Sequence, residues 1–360
     1  MISSFVISDF RGIRDLKVGQ LNTVNLIVGD NNSGKTSILE ALQLLRSPSE
    51  FSNIVKVART RNNAILGGVL TVYENFSYMF PRSDGDLELG VSAINDGDLF
   101  ECRIYGQQHR VLLDESEIKD RFFRKMVNGD LETDEFQGQL MYQIKDESGT
   151  VPIRFNSFTR ISGTTIRWTK AINMVYVPPC NYLNSNVINQ IIRNDEYKDI
   201  CIKVLQLFDP DIFDMIILKS TLGNSTVEYL KHTKLGTMPL STFGDGIKKV
   251  LMLANAIVQA KGGVLLIDEV ETSIHKKYYD DIFRFLVKAC KAFGVQLFVT
   301  THSIEAVDGL LATQDYNEQS RMDDISVVTV KRVGDMSYSR VLTGREVAAN
   351  REAFGFEVRL

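Results

Sequence analysis

The spacing of apolar and polar positions changes character twice along the chain. Residues 5–10 (FVISDF) and 23–29 (TVNLIVG) read as extended segments, and the second runs directly into a glycine-bearing loop followed by TSILEALQLL, whose apolar residues fall at helical spacing. That order is strand, loop, helix. From about residue 64 to 178 the pattern shifts to short alternating or β-branched runs, GGVLTVYENFSYMF, DLELGVSAI, LFECRIYG, QLMYQIKD, VPIRFNSF and TTIRWTK, separated by Gly, Asn, Asp and Ser. These predict an antiparallel β-rich insertion over 51–178, with a short helix near EIKDRFFRKMV.

The run VINQIIRNDEYKDICIKVLQLF returns to helical spacing until DPD breaks it, so 179–240 is expected as a helical segment. Within it, DMIILKS and STVEYLK flank Leu222-Gly223-Asn224 as a candidate hairpin. LSTFGDGIKKVLMLANAIVQA then reads as a loop leading into a long helix. Strand and helix alternate afterwards: VLLIDEV, KKYYDDIFRFLVKACKAF, QLFVTTH, SIEAVDGLL, and a final strand pair ISVVTVKR and SYSRVLT. Such alternation predicts an α/β core with a mostly parallel sheet, contributed by residues 1–50 and 241–360.

Composition narrows the class. Across 360 residues, 44% hydrophobic and 24% charged is ordinary globular usage, which excludes wholesale disorder or a fibrous chain. A net charge of −4 argues against a surface that coats nucleic acid by charge alone. The small basic clusters Arg59/Arg61, Arg121/Arg124/Lys125 and Lys248/Lys249 read as solvated faces. No run approaches the roughly 20 apolar residues of a spanning helix, and MISSFVISDFRGIRDL has no basic leader, so a cytoplasmic protein without membrane contact is expected. Cys102, Cys180, Cys201 and Cys290 lack paired spacing and the four histidines are dispersed, which gives no structural zinc site.

Three segments carry chemistry. Gly29-Asp30-Asn31-Asn32-Ser33-Gly34-Lys35-Thr36 is a complete G-x-x-x-x-G-K-[ST] between a strand and a helix. Backbone N–H groups of such a loop, from Gly29 through Asn31, Asn32, Ser33 and Gly34 to Ser37, curl around phosphate at a helix N-terminus. Lys35 would reach the β- and γ-phosphates, and Thr36 would offer its hydroxyl to Mg²⁺. Val264–Glu269 (VLLIDE) is an apolar strand ending in two acids, a Walker B pattern: Asp268 for the Mg²⁺ shell, Glu269 to orient or deprotonate the attacking water. Gln296–His302 (QLFVTTH) ends a further buried strand 34 residues beyond Asp268, placing Thr300, Thr301 and His302 where open α/β sheets bind ligands. His302 is expected to bond the γ-phosphate or the water.

The ordered set of P-loop, Thr242-Phe243-Gly244-Asp245-Gly246 opening a helix, Walker B 24 residues after Gly244, Glu271-Thr272-Ser273-Ile274-His275 and His302 resembles ABC-type ATPases. More narrowly it is similar to the AAA-15 and AAA-21 ATPases, akin to the ATPase part of OLD-family proteins, over residues 1–50 and 180–360. The resemblance implies ATP and Mg²⁺ as cofactors. It also implies a two-chain arrangement, open to larger assembly, in which Thr242, Gly244 and Asp245 of one chain cap the γ-phosphate on the P-loop of another, and a nucleotide contact for Arg11. Thr242 stands where such signatures usually have serine, His275 where transporters have aspartate, and no Q-loop glutamine is assigned. The β-rich insertion differs from the long heptads of SMC proteins, from the helical insertion of RecF-like proteins and from transport ATPases. The 58 residues after His302 are too few for the Toprim nuclease of OLD proteins. By resemblance, the leading expectation is a sensor or scaffold ATPase of a bacterial anti-phage system that controls a separate effector, a nuclease or toxin, in response to a phage-encoded trigger. The alternative is a RecF- or SMC-like ATPase that clamps DNA.

Overall fold

The computed structural model describes residues 1–61, 70–81, 85–113, 131–159, 171–179, 187–219, 226–316, 323–354 and 357–358. Cys180, the expected helix near 117–127 with its basic cluster, and the hairpin tip at 222–224 lie outside the described residues.

The chain opens with β1 (Ile2–Phe10) and β2 (Ile13–Val18), and β3 (Val24–Val28) then leads into α1 (Lys35–Leu44), α2 (Phe51–Ala58) and α3 (Val72–Ser77). Strands β4 (Leu87–Asn95), β5 (Asp98–Leu113), β6 (Leu131–Ile144) and β7 (Glu147–Asn156) continue the first hairpin into one antiparallel sheet, ordered β2-β1-β4-β5-β6-β7. The β-rich stretch is therefore built directly onto the N-terminus, with Phe5 opposite Ala93 and Ile7 opposite Val91.

After β8 (Met174–Val177) come α4 (Asp195–Leu205) and a small antiparallel sheet of β9 (Ile212–Lys219), β10 (Thr226–His232) and β11 (Gly236–Pro239). The segment expected to be helical over 179–240 thus holds one described α-helix, started by the Asn194 side chain accepting from Tyr197 N, and a sheet from Ile212 onward. Then follow α5 (Asp245–Gln259), β12 (Val264–Ile267), α6 (Tyr279–Ala292), β13 (Gln296–Thr300), α7 (Ile304–Leu311), β14 (Ile325–Val333), β15 (Met336–Thr343) and α8 (Gly344–Phe354), the last of which the periodicity did not mark.

The second six-stranded sheet runs β15-β14-β3-β13-β12-β8, parallel except at β15. Every residue of β3, β12 and β13 is buried, which is why β12 reads as an unbroken apolar run and the other two as apolar runs whose only polar residues are Asn25, Gln296 and Thr300. Alternate side chains feed two cores. Leu26, Leu265 and Val299 pack with α4, α5, α6 and α7. Ile27, Leu266 and Phe298 pack with α1, α2 and the antiparallel sheet. Four-residue β8, which falls inside the stretch expected as insertion, pairs in parallel with β12 and belongs to this sheet.

Inside the stretch 51–178 expected as β-rich, α2 and α3 are helices. VYENFS, expected as strand, is the helix α3, because Thr71 and Glu74 form a reciprocal cap: Glu74 N donates to Thr71 Oγ1 at 3.1 Å, and Thr71 N donates to Glu74 Oε2 at 2.6 Å. Helical spacing then turns Tyr73 and Phe76 inward together, and Phe76 meets Phe51, Phe136 and Phe155 edge-on at 5.6, 5.2 and 5.3 Å.

Candidate nucleotide site

Adjacent strands β3, β13 and β12 deliver the three motifs to one edge of the sheet, since Ile27 lies opposite Thr300 and Ile267 opposite Val299. At the end of β3 the chain turns with Gly29 at φ 148°, where an added Cβ would stand 2.2 Å from the Val330 carbonyl oxygen, so only glycine fits. Asn32 (φ 64°) and Gly34 (φ 98°) are also left-handed, and Gly34 caps α1 without a side-chain bond. The first-turn N–H groups of α1 thus remain available to an anion.

Lys35 is buried and its Nζ donates to the carbonyls of Gly29 and Asp30, both at 2.8 Å. Burial pushes its pKa below the ordinary lysine value, against the pull of Asp268, Asp30, Glu271 and Glu269. The ammonium is held inside the loop by weak neutral acceptors that a phosphate can replace.

Asp268 is 2% exposed and fully engaged. Its Oδ1 accepts from Thr300 Oγ1 at 2.6 Å and Thr36 Oγ1 at 3.1 Å, and its Oδ2 accepts from the Tyr176 hydroxyl at 3.4 Å. Burial and the neighbouring Asp268 push the Tyr176 phenol upward, so it stays a donor. Neighbouring oxygens of an octahedral Mg²⁺ at its usual bond lengths stand about 2.9 Å apart. The Thr36–Asp268 oxygen pair has that chemistry and nearly that spacing, so these residues fit Mg²⁺.

Glu269 follows in a left-handed conformation (φ 47°), uncommon for a side chain of this size. Its Oε2 accepts from Thr272 Oγ1 at 3.1 Å. Glu271 Oε1 accepts from the His302 backbone N–H at 2.9 Å, which joins the segment after β12 to the end of β13.

These residues border a cavity of about 870 Å³ lined by Asn32, Ser33, Gly34, Lys35, Thr36, Ser37, Asp268, Glu269 and His302 from the motifs, and by Glu40, Arg46, Lys56, Arg61, Tyr176 and Pro179. Arg61 is exposed, as expected of a solvated face, and in addition makes a two-point contact with fully buried Glu40 (2.8 and 2.7 Å) and donates to Ser37 Oγ at 2.9 Å. Arg11 is not among the lining residues: its Nε lies 3.0 Å from the same Glu40 carboxylate. Asn31 is exposed at the loop tip. Removing Glu40 strands two guanidinium groups, one of them largely buried, so Glu40→Ala should lower unfolding free energy by about 3 kcal/mol. Urea denaturation would show this as a lower midpoint with an unchanged slope.

Thr242, Gly244 and Asp245 do not line the cavity. Thr242 Oγ1 donates to Pro239 O at 2.7 Å, Gly244 caps α5, and Asp245 pairs with Lys248 at 3.3 Å. Lys249, expected on a solvated face, is fully buried, and its Nζ donates to Pro179 O at 3.3 Å, connecting α5 to the cavity wall. Among the described residues, Asp209, Asp211 and His232 also converge. His232 Nδ1 accepts from the backbone of Lys234 and Leu235, so Nε2 carries the proton toward Asp209 and is not open to a metal. Sequence reasoning missed Tyr176, Glu40 and Arg61. A tyrosine within MVYV gives no local sign of its partner, and Glu40 with Arg61 is recognisable only once α1 and α2 are packed.

A family model described as "AAA domain, putative AbiEii toxin, Type IV TA system" matches residues 94–308, more than half of the chain, and includes Walker B and His302. The chain belongs to this AAA family. A second model, "AAA ATPase domain", matches residues 1–121 and includes the P-loop. An ATP/GTP phosphatase of Helicobacter pylori is 23% identical over 359 residues, covering 89% of this chain and 91% of the relative. A DNA replication and repair protein RecF of Rickettsia africae is 22% identical over 352 residues, covering 85% and 96%. The Smc head domain derived from Pyrococcus furiosus, solved with an extended coiled coil and the C-terminal domain of ScpA, aligns over 99% of both chains with a TM-score of 0.51 at 11% identity. The fold is that of ABC-type ATPase heads, and this member of the AAA family is an ATPase. Among the described residues, no helix is long and apolar enough to cross a membrane.

Proposed function

We propose that this ATPase is a nucleotide-driven two-chain switch. The observation that carries the reading is the gathering of Lys35, Thr36, Asp268, Glu269 and His302 around one cavity, while Gly244 at the start of α5 stays outside it. Backbone N–H groups of the P-loop and Lys35 hold the triphosphate of ATP, and His302 bonds the γ-phosphate. Thr36 and Asp268 would hold Mg²⁺, which when bound would supply positive charge to offset that of the triphosphate. Glu269 takes the proton of the attacking water or aligns it. Gly244 and the N-terminus of α5 cap the γ-phosphate held by a second copy, and hydrolysis releases the pair.

Gly244 allows a clean test. An added Cβ there meets nothing within 4 Å and φ is −64°, so Gly244→Arg should fold normally. It is expected still to bind ATP by calorimetry, weaker than wild type only by the part that association contributes, yet to show no ATP-dependent rise in mass by light scattering. ATP-dependent association of Gly244→Arg at wild-type strength would overturn the two-chain arrangement.

The switch is read as controlling a separate effector in an anti-phage or toxin–antitoxin setting, supported by the family description, which names an AbiEii toxin and a type IV system. Efficiency of plating on cells carrying the chain with its neighbouring genes, against Lys35→Ala, tests this. Equal plating would count against it. The RecF relatives favour a second reading, a closed pair that clamps DNA. That reading requires DNA binding that needs ATP and weakens steeply with salt.

A further inference from the structure

Thr300 is the last residue of β13 and is 1% exposed. Its Oγ1 stands 2.6 Å from Asp268 Oδ1 and 2.8 Å from Glu269 N. A hydroxyl has one proton, the amide can only donate and the carboxylate can only accept. The Thr300 proton therefore points at Asp268, and a lone pair receives Glu269 N–H. The Thr300 carbonyl also accepts from Val270 N at 3.1 Å, so two successive amides after Asp268 are held by one residue.

We propose that Thr300 is a positioning residue that couples the metal-side carboxylate Asp268 to the water-side carboxylate Glu269. The proposal rests on the roles given above to those two acids. In the left-handed backbone of Glu269 (φ 47°) its own N–H and that of Val270 both face Thr300, and this conformation sets the direction in which the Glu269 side chain leaves the chain. The Thr300 hydroxyl fixes the direction in which the Asp268 carboxylate faces a cation, and any displacement of that hydroxyl is felt by the amide of Glu269. Threonine suits the task because its branched Cβ narrows χ1 while the methyl group fills the buried strand end.

A merely structural hydroxyl would affect stability alone, so the test reads metal dependence and the split between kcat and KM. Thr300→Val keeps the shape and removes the proton and the lone pairs. It is expected to lower kcat about tenfold, to raise the half-saturating Mg²⁺ concentration about tenfold and to leave the KM for ATP within about twofold. Thr300→Ser is expected to recover most of both losses. An independent readout is Mg²⁺-supported ATP binding by calorimetry in a Glu269→Gln background, where adding Thr300→Val should move the Mg²⁺ midpoint in the same direction.

The proposal is overturned if Thr300→Val, with a wild-type melting curve, retains both kcat and the Mg²⁺ midpoint. It is equally overturned if Thr300→Ser is as impaired as Thr300→Val, which would assign the effect to packing. Should Thr300→Val fail to fold, Thr300→Ser and Thr300→Ala decide the question: the hydroxyl variant must be the more active. Glu269→Gln separates this proposal from the reading of the site. If it hydrolyses ATP at the wild-type rate, the assignment of Glu269 falls; if it is inactive while Thr300→Val is unimpaired, only the coupling falls.

Discussion

Glu269→Gln should still take up ATP but hydrolyse it about 10²- to 10⁴-fold more slowly, the range associated with loss of a positioned general base. The substitution keeps the volume and the Thr272 contact, since a glutamine oxygen can accept from Thr272 Oγ1 where Glu269 Oε2 does now at 3.1 Å. The left-handed turn should survive as well, because it is held through backbone N–H groups rather than through the carboxylate. What disappears is proton affinity. With opening tied to hydrolysis, the variant should accumulate as an ATP-dependent pair in light scattering, whereas phosphate release falls to background. Phosphate release near the wild-type rate would remove Glu269 from the chemistry.

Lys35→Ala should lower affinity for ATP about a hundredfold, roughly 3 kcal/mol, with little change in melting temperature. The two consequences have separate origins. The ammonium sits in a desolvated position whose pKa is pushed down by burial, so removing it relieves a cost while leaving the Gly29 and Asp30 carbonyls without their donor. Those terms oppose each other in the empty protein. With a triphosphate bound, nothing replaces the lost charge. The lowered pKa adds a pH signature: as pH rises, Lys35 loses its proton earlier than an ordinary lysine, so wild-type affinity should decline on the alkaline side and binding there should take up a proton. Calorimetry in buffers of different ionisation enthalpy would read both. Wild-type affinity in Lys35→Ala would mean that the nucleotide does not occupy the P-loop.

The parts legible in the sequence share a physical cause. Strands β3, β12 and β13 are buried on both faces, so each is a mainly apolar run that stops where the sheet edge meets the cavity, and polar residues follow each stop. The motifs and their shared edge could be placed for that reason. Elements defined by distant partners were harder to place. Thr71-Val72-Tyr73 is β-prone composition that a capping box converts to helix. Four-residue β8 is too short to show whether it pairs with the neighbouring β7 or with β12, and only the pairing reveals that Tyr176 reaches Asp268. Arg61 is solvent-facing, but its second role is not legible in the sequence because its counter-ion, Glu40, lies 21 positions away on another helix.

At the end of β13 remote from the cavity, the Gln296 side chain accepts from Ile2 N and donates to Ile2 O, both at 2.7 Å, and donates to Asn22 O at 3.0 Å. One strand is thus clamped to the first residues of the antiparallel sheet at its start and to Asp268, Glu269 and Val270 at its finish. Such a strand behaves as a spindle: the antiparallel layer and the P-loop edge share one axle, and neither can slide along it without breaking buried bonds. Shear of the two layers along β13 is thereby opposed at both ends of the strand, by Gln296 at one and Thr300 at the other.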